Sequence, residues 1–172
     1  MKILNKAGFT LIELLAVITI MGILMMVAIP SVSRTIENSR RDTFADNALT
    51  YINTVRNSVL ADELDCGGTT VSATANGTYY FAIDTDAQQT KDIMEKVATS
   101  SWGGAKLTGY VRWNKVTNTT TNRTITTYEI CLKDSGNHGF GDYALETAVT
   151  RSKILTSGAA CGSPGGTGCT LK

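Results

Sequence analysis

From Phe9 to Ile29 the chain reads FTLIELLAVITIMGILMMVAI, with Glu13 as its one ionisable side chain. At about 1.5 Å per residue, a helix over this run crosses the roughly 30 Å hydrocarbon layer of a bilayer. No other feature restricts the fold as much. A domain made from the rest of the chain cannot enclose so long an apolar rod, so lipid or further copies of the same rod must cover it. Lys2 and Lys6 precede the run with no acid among them, which places the N-terminus in the cytoplasm and exports the rest. Arg34, Arg40 and Arg41 on the far side oppose that orientation. A secretory signal peptide is one competing reading, because Ser31-Val32-Ser33 has the small residues a signal peptidase accepts. Against it, the run is longer than the usual roughly 7 to 15 apolar residues. A plain single-span anchor is another, and it accounts for the length. It leaves unexplained a carboxylate that costs up to about 3 kcal/mol at mid-membrane.

With 172 residues, 42% of them apolar, the chain suffices for one domain with a modest core. A formal net charge of +1 and no basic stripe give no electrostatic case for wrapping nucleic acid. All four cysteines, Cys66, Cys131, Cys161 and Cys169, follow the apolar run, and an even number in an exported segment favours disulfides. Zinc is the rival reading, but it wants close ligand pairs, and the only local pair is Cys161 with Cys169. Four cysteines allow three pairings. The preferred one joins Cys161 to Cys169 across a Gly/Pro-rich loop and leaves Cys66 with Cys131.

Beyond Pro30, the apolar positions Val32, Ile36, Phe44, Ala48, Ile52, Val55 and Val59 step at helical spacing, so one helix continues to about Leu64. Arg34, Glu37, Asn38, Arg41, Asp42, Asp46, Asn53 and Arg56 occupy its other faces. Proline at position 30 removes a backbone donor and crowds the preceding turn, which predicts a kink there. After Leu64 the composition turns to Thr, Gly, Ser and Asn. Segments 69–75 and 78–83 flank Asn76-Gly77, a pair suited to a type I′ hairpin turn. Asp86-x-x-Gln89 followed by Ile93, Met94 and Val97 predicts a short helix. Two longer antiparallel strands are expected over 106–116 and 124–133, with Val111 and Trp113 on one face of the first and Tyr128, Ile130 and Leu132 on one face of the second. Residues 143–155 suit either helix or strand, and the Gly-rich tail 156–172 reads as an irregular loop. The fold class is α+β, a long N-terminal helix with a transmembrane half and an amphipathic half, packed on a small antiparallel sheet.

The stretch Lys6-Ala7-Gly8-Phe9-Thr10-Leu11-Ile12-Glu13-Leu14-Leu15 resembles the processing motif of type IV prepilins and their relatives, and Pro30 falls where many pilins carry proline. The resemblance covers about the first 30 residues. It implies a pilin-like fold with a leader at 1–8, a transmembrane and filament-core helix at 9–29, an amphipathic half at 30–64 and a globular head at 65–172. It further implies that a prepilin peptidase cuts between Gly8 and Phe9 and methylates the new amine of Phe9. Glu13 then neutralises the amine of a neighbouring subunit as the chain leaves the cytoplasmic membrane for a helical homopolymer. A membrane platform and a cytoplasmic ATPase would drive that assembly. An amine with a pKa of about 7.7 to 8 is mostly cationic at neutral pH, so cutting creates the partner that a buried acid needs. Phe9 and Glu13 are also i and i+4 on one helix face, so pairing within a chain is open as well. A bond from Cys131 to a C-terminal cysteine would resemble the loop that pilins often staple at the chain's end. Pseudopilins of type II secretion or competence systems share every N-terminal feature; a minor pilin acting as an adhesion module is the other alternative, and Glu13 argues mildly against a tip-only subunit, since some tip subunits of the family lack this acid.

No catalytic constellation stands out. His138, the one histidine, sits in the glycine-rich turn SGNHGFGD and reads as a loop residue. Asp134, Asn137 and Asp142 around it are oxygen donors of the kind calcium takes, at a spacing that misses the EF-hand pattern. No cofactor is expected. Asn76, Asn118 and Asn122 each begin an N-x-T glycosylation pattern. Trp102 and Trp113 read as core or rim residues rather than as stacking platforms for single strands.

Overall fold

The computed structural model describes residues 8–61, 64–66, 76–84, 100–103 and 106–171. The expected strand over 69–75 and the helix over 86–97 lie outside these residues, as does most of the leader, so the hairpin expected around Asn76-Gly77 is described on one side only. The chain divides into two units, residues 1–39 and 40–172.

Helix α1 runs Leu11–Leu60, 50 residues, with Pro30 inside it and no break in the helix there. In the first unit it finds no partner, and none of its apolar span is buried. Val32 and Ile36, expected to extend the core stripe, are exposed for the same reason. In the second unit the stripe turns inward: Phe44, Ala48, Ile52 and Val55 are fully buried, joined by Ala45, Tyr51 and Ser58. The helix ends four residues short of the expected Leu64. Ala61 N–H still donates to Asn57 O at 2.9 Å. Leu64 opens a strand instead, because pairing with the chain's last strand competes successfully with continued helix.

The strands are β1 (Leu64–Asp65), β2 (Gly77–Asp84), β3 (Leu107–Asn118), β4 (Arg123–Asp134), β5 (Gly139–Phe140), β6 (Ala144–Leu145), β7 (Ile154–Leu155) and β8 (Thr167–Leu171). Among the described residues they form one sheet in the order β1-β8-β2-β3-β4-β5-β7, with β6 also on β4. The β3–β4 hairpin is the centre. Its register sets Val111 opposite Ile130 and Trp113 opposite Tyr128, and β2 adds Phe81 beside Val111 and Tyr79 beside Trp113. Those side chains lie on one face by the period-two alternation of strands. They form a single buried cluster with the helix residues Phe44, Tyr51, Ile52 and Val55. The strand expectations for 78–83, 106–116 and 124–133 therefore hold, and so do the face assignments.

Two features differ from the sequence reading. The sheet is mixed rather than wholly antiparallel, because β8 runs parallel to β2 (Tyr79 beside Thr167, Phe81 beside Cys169). The tail is thus not all loop. Gly166 has φ +89°, and a Cβ there would stand 2.2 Å from the Thr78 carbonyl oxygen, so only glycine lets the tail come this close before β8 starts. Residues 143–155 resolve into two short strands and two 3₁₀ turns, Glu146–Ala148 and Arg151–Lys153. Ion pairs join these turns to α1, Glu146 to Arg56 and Arg151 to Asp42.

Candidate functional site

Thr10 is the last non-helical residue before α1, and Glu13 is the third residue of the helix. The Thr10 backbone N–H and its hydroxyl each donate to Glu13 Oε2 at 2.8 Å, and Glu13 N–H donates to Thr10 Oγ1 at 3.3 Å. Leu14 N–H closes the first turn on Thr10 O at 3.2 Å. This is a capping box, in which a Thr and a Glu three residues apart satisfy each other's orphan backbone donors. Its signal, Thr-x-x-Glu ahead of an apolar run, was present in the sequence. The carboxylate therefore has partners while the chain is uncut and Phe9 is still a peptide N–H. Its contacts are made one residue from the Gly8-Phe9 bond.

Gly8 and Phe9 precede the helix in irregular backbone, and Phe9 is 91% exposed. A Cβ added at Gly8 meets nothing within 4 Å. Among the described residues nothing in the fold requires glycine there. The large apolar side chains between Leu11 and Ile29 are likewise exposed.

In the second unit the cysteines correct the preferred pairing. Cys161 and Cys169 are not joined, and Cys66 is not joined to Cys131. The bonds are Cys66–Cys169 and Cys131–Cys161. The physical reason is β8. Its antiparallel register with β1 sets Asp65 opposite Thr170, which brings the next residues, Cys66 and Cys169, together. Cys161 comes to rest over β4, its Cα 5.6 Å from that of Cys131. This second bond is of the kind the prepilin resemblance implied.

His138 is not a solvated loop side chain. Its Nδ1 lies 2.8 Å from Asp134 Oδ2, its backbone N–H donates to Asp134 Oδ1 at 2.9 Å, and its ring stacks on Trp102 at 4.7 Å between centroids. The Ser100 hydroxyl donates to the same carboxylate at 2.7 Å. Burial pushes the Asp134 carboxyl up, but these hydrogen bonds more than reverse it and hold the group below the usual carboxylate range. Ser, His and Asp are all present, yet the serine faces the carboxylate rather than the imidazole. The imidazole is not placed against the serine hydroxyl, so the group is a latch and not the Ser-His-Asp relay of a nucleophilic triad. The same contacts occupy both Asp134 oxygens, and Asp142 Oδ1 accepts from Tyr143 N–H at 2.7 Å. Among the described residues no cluster of His, Cys, Asp or Glu suits a metal.

Neither the curated proteins nor the solved structures contain a significant match to this chain. Residues 3–29 match the family described as the prokaryotic N-terminal methylation motif. That span contains Gly8, Phe9 and Glu13, and the motif implies processing by a prepilin peptidase and assembly into pilus-like polymers. With a long apolar N-terminal helix ahead of an α+β unit, the chain carries the type IV prepilin-like signature.

Proposed function

We propose that the chain is a structural subunit of a type IV pilus, cut between Gly8 and Phe9, methylated at Phe9 and polymerised through α1. One observation carries the reading. An apolar helix with no cover of its own starts at Leu11, just after a glycine the fold does not need, and carries an acid as its third residue. Cutting replaces the Phe9 peptide N–H with a cationic amine one residue before Thr10. Glu13, until then held by Thr10, gains a charged partner on a neighbouring subunit, and each added copy covers apolar surface at about 25 cal/mol per Å². Before assembly the helix lies in the cytoplasmic membrane with the head exported, and Pro30 gives it a point of bending. The prepilin peptidase, a membrane platform and a cytoplasmic ATPase are the partners, and the filament at the cell surface is the product.

N-terminal sequencing of the exported chain tests the reading. A start at methylated Phe9 supports it. A start at Arg34 would make the chain an ordinary secreted domain. Long sheared filaments built mainly from this chain, seen by electron microscopy, would separate a pilus from a short pseudopilus.

A further inference from the structure

Of the three N-x-T patterns, the one beginning at Asn76 lies far in the sequence from the neighbouring pair at Asn118 and Asn122. The fold collects them at one end of the sheet. Asn118 pairs with Arg123 at the close of the β3–β4 hairpin, and Thr117 N–H donates to Asn76 Oδ1 at 2.8 Å. They differ in what surrounds them. The Asn76 pattern runs into β2, and its amide oxygen is held by that bond. The Asn122 pattern runs into β4, and its Thr124 hydroxyl lies 3.0 Å from that of Thr117. Only in Asn118-Thr119-Thr120 do the last two residues lie in the turn, outside both strands and exposed. The Asn118 side chain is already set: Oδ1 accepts from Thr120 N–H at 2.9 Å and from Thr121 N–H at 3.1 Å. Both bonds draw on the oxygen and leave Nδ2 as the available atom.

A second, independent observation points to an occupant. Val116 and Ile125 face each other across the hairpin and are 61% and 56% exposed, in a unit that buries most of its large apolar side chains. The pairing of β2 stops at Lys115, so among the described residues no strand pairs with that side of β3 beside Val116. Alternation along β3 puts Val116 and Asn118 on one face. A sugar chain rooted at Asn118 would lie across Val116 and Ile125, its apolar C–H faces against them.

We propose that Asn118 is an N-glycosylation site. The donor is an oligosaccharide carried on a polyprenyl diphosphate. Asn118 Nδ2 bonds to the sugar's C1, the C1–O bond to the diphosphate breaks, the amide proton passes to a base, and polyprenyl diphosphate leaves. The proposal rests on the reading that residues after the apolar helix are exported, since the donor's sugar is displayed on the outer face.

The test uses the full chain isolated from its own cells. Trypsin releases Val116–Arg123, and mass spectrometry reads that peptide and the N-terminal peptide in one digest. A glycan mass on Val116–Arg123 that vanishes in Asn118→Gln and persists in Asn122→Gln is the expected result. An unmodified peptide overturns the proposal, and so does a glycan mass that survives Asn118→Gln. The N-terminal peptide then separates the two readings. A start at methylated Phe9 leaves the pilin reading standing without the glycan, whereas a start at Met1 or Arg34 removes the pilin reading too.

Discussion

Glu13 sits third in the helix, beside the proposed processing bond. Glu13→Val removes the capping partner of Thr10 and, on the proposed reading, the counter-charge for the Phe9 amine. The expected outcome is a chain that is inserted and cut but yields few filaments, checked by comparing processed mass with sheared filament yield. Normal yield would remove the proposed role. A bulky residue at position 8 meets no obstacle in the fold, so Gly8→Leu should leave the second unit intact while blocking cutting. An unshifted precursor mass is the readout. At Asp134 the prediction concerns pH. Its folded-state pKa lies below its unfolded value of about 3.9. The stabilisation is therefore complete above about pH 4 and is lost as pH falls through the lowered value. Asp134→Asn should cost about 2 kcal/mol near neutral pH, with the gap to the parent chain narrowing under acid. Denaturant titration of the detergent-solubilised chain at pH 7 and pH 3 would measure both.

The same helix makes two elements of different physics. Up to Ser39 its described large apolar side chains are exposed, and from Arg40 a narrower stripe closes the core of the second unit. Ile52→Ala in that stripe should cost about 2 to 5 kcal/mol through lost burial and a residual cavity, seen as a lower denaturation midpoint. The comparable change at Ile23 should leave that midpoint unmoved. Strand β8 is the last element made and lies inside the sheet, between β1 and β2. Its bond to Cys66 closes a loop with a sequence separation of 103, against 30 for Cys131–Cys161. By chain entropy the longer loop gives roughly 4 to 5 kcal/mol and the shorter somewhat less. Replacing Cys66 and Cys169 by serine should therefore lower the midpoint more than replacing Cys131 and Cys161. It should also expose the tail to protease first. Equal effects would show that strain or residual unfolded structure outweighs loop length.

At the scale of the whole molecule, the first unit works only in company. Its described apolar span is unburied and has the length to cross a bilayer, so lipid or further copies of the helix are what could cover it. This much is legible in the residue types alone, because a run of apolar side chains with one acid states its needs locally. The prepilin-like motif, the capping pair Thr10 and Glu13, and the period-two faces of β3 and β4 are local in the same way. The second unit's decisive features are not. Helix and strand compete at Leu64, and pairing with a segment about a hundred residues away decides between them. The tail's Thr and Gly residues have weak preferences of their own and become a strand only against the open edge of β2. The disulfides follow from that docking, and His138 becomes a latch only because the turn after β4 carries it back to Asp134 and onto Trp102. Sequence by itself determined which surfaces must be covered and where the prepilin-like motif lies. Tertiary structure alone decided which distant segments do the covering, because contact energies between them exceed the small local preferences each segment has.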